Sequence, residues 1–336
     1  MSEGLVFSFL LVVRNEEKYI ADLLEAVLNQ DFPHDLYEII VVDGESTDRT
    51  LDIVKEYRRK NPERIKLLHN PQKTLPPGWN IGIRQARGRY VIRVDGHSKI
   101  PKDFLSRNYA VAQRVPEAAC VGGVIHSVGF GFWGEVNAYV YSHPFGVGNS
   151  KFRTQKEEWE GYVDTVPYGA YKREVFEQVG LFDETLKRNE DLEMHARIRQ
   201  NGGKFFLSTS ISSTYFVRST LFALIKKSFA DGKWTTIAAR RGKAVLRFRH
   251  LIPFYTVLTG GLLALGSLFY PLLGIILLVL SGLYMALIFI SAAGIIRQKG
   301  WRYFFPCVLS FICLHISRGI GSMAGFFNRE YWRKKR

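Results

Sequence analysis

Residues 251–296 hold no Asp, Glu, Lys or Arg, an uncharged run of 46 positions. A helix that crosses a bilayer needs about 20 predominantly apolar residues, so this run is long enough for two. Pro271 stands near its middle, and a hairpin is expected, with helices over about 252–270 and about 272–296. A pair of core helices in a soluble protein is the competing reading. The absence of charge over such a length argues against it.

Charge divides the chain. Residues 1–218 balance 29 Lys and Arg against 29 Asp and Glu, whereas residues 219–336 carry 17 Lys and Arg against Asp231 and Glu330 alone. The net charge of +15 therefore belongs entirely to the segment that also holds the apolar runs. Basic residues that bracket apolar helices meet the anionic cytoplasmic leaflet of a membrane. Nucleic acid is not expected as a partner, because the charge flanks lipid-like segments instead of forming a soluble basic face.

Residues 219–250 alternate apolar patches (Leu221-Phe222, Leu224-Ile225, Phe229, Trp234) with Lys226, Lys227, Lys233, Arg240, Arg241 and Lys243. Basic amphipathic helices of this kind lie in the membrane interface. A further apolar stretch, 303–327, is interrupted by His315 and Arg318 and followed by Arg329, Arg333, Lys334, Lys335 and Arg336. With 251–296 as a hairpin, a third full span would export that cationic tail, against the positive-inside rule. A re-entrant or interfacial segment is expected there, with both termini cytoplasmic.

The apolar run 5–13 does not read as a secretory signal. Ser2-Glu3-Gly4 precedes it without a basic residue, and Arg14-Asn15-Glu16-Glu17 stands where a small-residue cleavage site would be. It reads as a buried strand. Cys120, Cys307 and Cys313 form neither a disulfide framework nor a zinc-ligand spacing, so the N-terminal part is expected to face a reducing cytoplasm.

From residue 5 to residue 124 strand and helix alternate. Strands are expected at 5–13, 38–42, 65–69, 90–94 and 119–124, and helices at about 16–30, 48–60, 78–87 and 102–114. The strands are continuously apolar, as parallel strands covered on both faces are. The fold class is therefore α/β, with a doubly wound, mostly parallel sheet. Residues 125–188, rich in Gly and aromatics without a clean period, are expected to be a substrate-facing elaboration. A helix over about 189–201 ends at Gly202-Gly203 and leads into a strand at 204–208.

Asp43 ends the run Glu38-Ile39-Ile40-Val41-Val42, and Asp95 ends Tyr90-Val91-Ile92-Arg93-Val94. Carboxylates at the carboxyl ends of parallel strands converge on the crevice where open α/β sheets bind ligands. Asp43 there suits a nucleoside, accepting from a uracil imide or from ribose hydroxyls, while Ser46-Thr47-Asp48 are explained by capping the next helix. Asp95-Gly96-His97 sets two potential ligands of one divalent cation two positions apart, with Gly96 letting the backbone bend close to a phosphate. An imidazole in that set favours Mn²⁺ over Mg²⁺. Glu190-Asp191 opens a helix whose dipole favours an ionised carboxylate. Either one of the pair deprotonates an acceptor hydroxyl, or both only stabilise the first turn, and spacing alone does not choose. A Rossmann dehydrogenase is excluded, since the first strand-to-helix turn lacks G-x-G-x-x-G.

The order Val41-Val42-Asp43-Gly44-Glu45-Ser46-Thr47-Asp48, then Arg93-Val94-Asp95-Gly96-His97-Ser98, then Asn189-Glu190-Asp191-Leu192-Glu193-Met194 resembles family 2 glycosyltransferases of GT-A fold. The resemblance covers about residues 5–235. His143-Pro144-Phe145-Gly146-Val147-Gly148-Asn149, Tyr168-Gly169-Ala170, Val179-Gly180-Leu181-Phe182-Asp183-Glu184 and Tyr215-Phe216-Val217-Arg218 resemble the succinoglycan ExoA-like, membrane-associated branch. That branch extends lipid-linked polysaccharide precursors from UDP-sugars.

The resemblance implies roles by position. Asp43, Glu16 and Asp95 bind the nucleotide, Asp95 and His97 serve the metal and diphosphate, and Asp191 is the base with Glu190 beside it. Tyr168, Gly169 and Ala170 face the acceptor or donor sugar. Lys233 and Trp234 stand where related synthases carry Gln-x-x-Arg-Trp for the diphosphate. That motif is degenerate here, which argues against processive synthesis, and His97 replaces the second acid of Asp-x-Asp. The expected parts are a GT-A catalytic domain over 1–218, interfacial helices over 219–250 and a membrane-associated region over 251–336.

The expected activity is inverting transfer from a UDP-sugar, with UDP-glucose foremost, using Mn²⁺ or Mg²⁺. The acceptor is a lipid-linked oligosaccharide or polysaccharide precursor, the new bond is β, and the site faces the cytoplasmic side of the plasma membrane. Three alternatives stand beside it. A polyprenyl-phosphate glycosyltransferase would need no general base, because its acceptor phosphate is already ionised. A processive synthase would extend one chain repeatedly. A membrane-tethered nucleotide-binding scaffold would not catalyse at all.

Overall fold

The computed structural model describes residues 4–148, 150–242 and 244–333. Asn149 of the His143 motif, Lys243 of the basic segment and 334–336 of the cationic tail lie outside the described residues. The strands are β1 (Phe7–Val13), β2 (Tyr37–Asp43), β3 (Ile65–His69), β4 (Tyr90–Asp95), β5 (Ser98–Lys99), β6 (Ala118–Val128), β7 (Glu160–Val163), β8 (Ala170–Lys172) and β9 (Lys204–Phe216). The helices up to residue 179 are α1 (Ile20–Leu28), α2 (Thr50–Lys60), α3 (Leu75–Gln85), α4 (Phe104–Arg114), α5 (Gly131–Ser142), α6 (Pro144–Val147), α7 (Lys151–Thr154) and α8 (Arg173–Val179). After them come α9 (Glu190–Gln200), α10 (Leu221–Arg241), α11 (Phe248–Gly266), α12 (Pro271–Lys299), α13 (Phe304–Phe326) and α14 (Arg329–Trp332).

These elements form two compact units, one from residues up to 126 with 155–216, the other from 127–154 with 217 onward. In the first unit the strand order is β3-β2-β1-β4-β8-β6-β9-β5, with β7 on β9. β3, β2, β1 and β4 are parallel, the block expected from the apolar runs. β8 pairs antiparallel with β4 and with β6, and β9 pairs antiparallel with β5 and β7. The sheet is thus mixed, half doubly wound and half antiparallel.

Every residue of β1 and β2 is buried, which requires cover on both faces. α1 supplies part of it with Ile20, Leu23, Leu24, Val27 and Leu28, the spacing of one helical face. Each such side chain stabilises by about 1.5–3 kcal/mol relative to exposure. α3 begins at Leu75, ahead of the expected 78, because Pro76 and Pro77 fall in the first turn, where a missing N–H costs little. β1 lies between β2 and β4, so connections leave it in opposite directions and open a crevice at its carboxyl end.

Among the described residues of the second unit, three helices are long and apolar enough to cross a membrane: Phe248–Gly266, Pro271–Lys299 and Trp301–Phe326. The first two match the expected hairpin, and only 6% of the most apolar window of each is buried. The third differs. Its window is 44% buried, and α13 runs unbroken from Phe304 to Phe326.

α10 covers α13 along its length. A Cβ built on Gly232 would lie 2.1 Å from the Arg318 carbonyl oxygen, and one on Gly321 would lie 2.1 Å from that of Phe229. Small residues at such a crossing let two backbones touch. The Thr236 hydroxyl donates to Ser322 O at 3.0 Å, and Arg241 donates to Glu330 O at 2.8 Å.

Residues 127–154 join these helices, although the sequence reading counts them with the α/β domain. Asn137 Nδ2 donates to Arg218 O at 2.7 Å, and the Tyr139 hydroxyl to Ser291 O at 2.7 Å. His315 Nε2 donates to Phe145 O at 2.8 Å, and Phe132 stacks on Tyr303 with centroids 4.7 Å apart. The aromatic content of this segment is therefore spent on helix packing.

Candidate active site

The register of three parallel strands gathers the acidic motifs. Val13 of β1 pairs with Asp43 of β2, and Val12 pairs with Asp95 of β4, so both carboxylates flank the carboxyl end of β1. Asp43 is buried, and its oxygens accept from Ser46 N at 3.2 Å and from the Ser46 hydroxyl at 2.6 Å. The Asp43 bonds seen here thus belong to the turn that leads into α2. An ionised carboxylate has further lone pairs for a ligand. Asn15, at φ 57°, bridges to that turn by accepting from Thr47 N at 2.8 Å.

Glu16 follows directly, its N–H donating to Thr50 Oγ1 at 2.7 Å. Its carboxylate reaches across to the turn after β4 and accepts from His97 Nδ1 at 3.1 Å. In a neutral imidazole a proton on Nδ1 leaves the lone pair on Nε2, the arrangement found when a carboxylate orients a metal-binding imidazole. Gly96 makes this possible, since a Cβ there would lie 2.9 Å from Glu16 Cγ. The rings of Tyr19 and Tyr215 flank His97 at 6.5 and 6.3 Å. Among the described residues, no three His, Cys, Asp or Glu side chains gather closely enough to hold a metal ion.

The third acidic motif meets the same strand through a residue that the sequence reading passed over. Arg93 stands two positions before Asp95 and so shares its face of β4. Its guanidinium is 3.5 Å from Glu190 Oε1 and 3.9 Å from Asp191 Oδ2. Burial pulls the Arg93 pKa down, but Tyr171, Asp191, Glu190 and Asp95 around it raise it above the ordinary value overall. The left-handed backbone of Asn189, φ 59°, turns the chain sharply into α9 and sets both acids at its first turn.

The two acids differ in environment. The Glu190 side chain is 10% exposed and that of Asp191 42%. Burial, then the Asp191 charge, push the Glu190 pKa up to about 7, with Arg93 opposing. The two acids at the start of α9 thus sit in unlike environments, one buried and one open.

The Tyr168 hydroxyl donates to Asp95 Oδ2 at 3.0 Å. Gly169 and Ala170 are buried, Ala170 in β8 paired with Ile92 and Val121, so of that motif only Tyr168 reaches the acidic cluster by its side chain. Lys233 and Trp234 lie on α10 in the second unit, both half-buried. Besides Arg93, the sequence reading missed Trp79 and Phe182, whose rings lie 5.4 and 5.0 Å from that guanidinium. A charged residue inside an otherwise apolar central strand was the available signal.

Known proteins resemble this chain closely. The family described as Glycosyl transferase family 2 matches residues 8–180. A Methanococcus voltae protein named dolichyl N-acetyl-alpha-D-glucosaminyl phosphate 3-beta-D-2,3-diacetamido-2,3-dideoxy-beta-D-glucuronosyltransferase is 34% identical over 70% of this chain and 74% of its own. The succinoglycan biosynthesis protein ExoA of Rhizobium meliloti is 26% identical over 75% of this chain and 76% of its own. Among solved structures, the mannosyltransferase PcManGT of Pyrobaculum calidifontis with GDP-Man and Mn²⁺ aligns with TM-score 0.61 at 18% identity, over 96% of this chain and 88% of that one. Residues 1–349 of Staphylococcus aureus TarS with UDP-GlcNAc align with TM-score 0.55 at 19% identity, over 95% and 91%.

Proposed function

The chain belongs to glycosyl transferase family 2 and has the GT-A fold, and from these facts and the β1 crevice we propose an inverting, UDP-sugar-dependent hexosyltransferase. Glucose is the proposed sugar, and a lipid-linked oligosaccharide or polysaccharide precursor the acceptor. The observation that carries this reading is the split between Glu190 and Asp191 beside one buried arginine. The accessible Asp191 side chain suits removal of a proton from an acceptor hydroxyl, and attack opposite the departing UDP gives a β-linkage. The names of the Methanococcus voltae and Rhizobium meliloti relatives support an acceptor of this class.

Asp43, Glu16 and Asp95 are proposed to bind the nucleotide. Asp95 and His97 are proposed to hold one divalent cation, with remaining ligands from water and the donor diphosphate. The His97–Glu16 pair fits a metal-binding imidazole, and one oxygen with one nitrogen ligand favours Mn²⁺ over Mg²⁺. Bound there, the cation supplies charge neutralisation for the leaving diphosphate. Tyr168 is proposed to orient Asp95 and meet the sugar, and Lys233 with Trp234 to meet the diphosphate. Basic α10 and the apolar α11–α12 pair support attachment to the plasma membrane from its cytoplasmic side.

The test uses the full chain in detergent with a panel of UDP-sugars, Mn²⁺ and lipid-linked acceptors, scored by release of UDP. Asp191→Asn is expected to lower transfer at least about 1,000-fold while UDP affinity stays within about threefold. Ordinary turnover by that variant would remove the base assignment.

A further inference from the structure

We infer that Arg93 is a positioning residue, whose guanidinium, clamped between Trp79 and Phe182, holds Glu190 and Asp191 in the orientation that leaves Asp191 open to the acceptor. This rests on the reading of Asp191 as the base. β4 holds a charged residue where a buried central strand calls for apolar ones. Tyr90, Val91, Ile92 and Val94 are buried, and an arginine among them carries a desolvation cost that demands close anionic partners. Those partners are Glu190 at 3.5 Å and Asp191 at 3.9 Å.

Two ion pairs alone would let the acids swing about one cation. The rings remove that freedom. Trp79 of α3 and Phe182, from the segment before α9, are 1% and 3% exposed, and they lie 5.4 and 5.0 Å from the guanidinium carbon. Phe182 is fixed in turn, because its N–H donates to Asn80 Oδ1 at 2.9 Å and its carbonyl accepts from Asn80 Nδ2 at 2.9 Å. The Arg197 side chain also donates to Leu181 O at 2.8 Å. Residues of α3, β4 and the 179–189 segment thus surround the guanidinium together. The charged and titratable groups facing it are Glu190, Asp191, Asp95, Tyr171, His195 and Cys120. A lysine would keep the charge but not the planar, forked shape that fills the space between the rings and the acids.

The experiment uses the purified full chain with UDP-glucose and Mn²⁺. Arg93→Ala is expected to lower kcat for UDP release at least about 100-fold while calorimetric UDP affinity stays within about threefold. Guanidinium chloride at about 50 mM is expected to restore kcat at least tenfold, and ammonium chloride not to, because only the former replaces a planar, forked cation. Equal loss of kcat and UDP affinity, or no response to guanidinium by a folded variant, overturns the inference. Should Arg93→Ala fail to fold, Arg93→Lys decides. A kcat at least about tenfold low with unchanged UDP affinity supports the clamp, and a wild-type kcat overturns it. Should the wild type not turn over UDP-glucose, the donor reading alone fails, and a thermal double-mutant cycle of Arg93→Lys with Asp191→Asn tests the clamp. Losses in Tm that fall short of additive by at least about 2 °C support it, and additive losses overturn it.

Discussion

The Tyr168 hydroxyl donates to Asp95 Oδ2 across 3.0 Å, tying together residues 73 positions apart in the chain. Tyr168 adopts φ 44°, a left-handed conformation that costs a non-glycine residue about 1–3 kcal/mol. The strain aims the ring at Asp95 just before β8 begins, so one carboxylate oxygen is held and the other is presented elsewhere. Tyr168→Phe keeps the ring and deletes the bond. A hydrogen bond to a charged group contributes about 1.5–3 kcal/mol, and a half-buried one falls at the low end. UDP affinity in the presence of Mn²⁺ is expected to drop about tenfold, measured by calorimetric titration against the wild type. Unchanged affinity would detach Tyr168 from the nucleotide site.

Much of this arrangement is legible in the chain. Continuous apolar runs closed by an acid identify β2 and β4, because only a strand buried on both faces needs such a run. Other features depend on contacts that no local pattern encodes. Spacing could not choose between Glu190 and Asp191, which differ in exposure around Arg93, a residue almost 100 positions earlier. Arg93 itself reads as an interruption within a strand until its ring partners are known. β5, β7 and β8, of two to four residues, are too short to carry a period, so of the antiparallel half only β6 and β9 were legible. The aromatic residues of 127–154 suit a substrate or a helix bundle equally well, and only distant partners such as Tyr303 and Phe311 decide.

Metal removal tests the Asp95–His97 pair. Dialysis against EDTA is expected to abolish sugar transfer, with at least about a 100-fold loss in kcat/KM, because neither diphosphate charge nor orientation is then supported. Added Mn²⁺ restores it. His97→Asp converts the set to oxygen ligands and is expected to shift the preference toward Mg²⁺, read as the ratio of rates with the two ions. An unchanged ratio in a folded, active variant would take His97 out of the ligand set.

Glu190 makes a prediction about pH. Its pKa is raised from the usual carboxylate range to about 7, first by burial and then by Asp191. A raised value means that the folded state holds the proton more tightly than the unfolded chain does. The associated stability is fully present below about pH 4.5, declines as pH rises, and is gone above about pH 7. A shift of this size corresponds at most to about 3 kcal/mol. Replacing Glu190 by Gln removes the ionisation. The variant's Tm is expected to fall less than that of the wild type between pH 5 and pH 8, by about 5 °C, in parallel thermal scans. Parallel curves would mean that Glu190 titrates in the ordinary range.

The close approach of α10 and α13 sets the last expectation. Gly321 has the Phe229 carbonyl oxygen 2.1 Å from where a Cβ would stand, with Phe229 C at 2.8 Å, so the obstacle is backbone and cannot rotate away. Gly260, on α11, has nothing within 4 Å of the same position. The two glycines therefore respond oppositely to enlargement. Gly321→Leu forces the helices apart and costs about 2–3 kcal/mol or more, the scale of overpacking. Gly260→Leu adds a better helix former facing open space and is expected to be neutral or slightly stabilising. In thermal unfolding of the full chain in detergent, Gly321→Leu should lower Tm by about 5–10 °C and Gly260→Leu should leave it within about 2 °C. Equal behaviour of the two variants would mean that α10 does not lie against α13 in the folded protein. The basic residues of α10 would then no longer be tied to that helix.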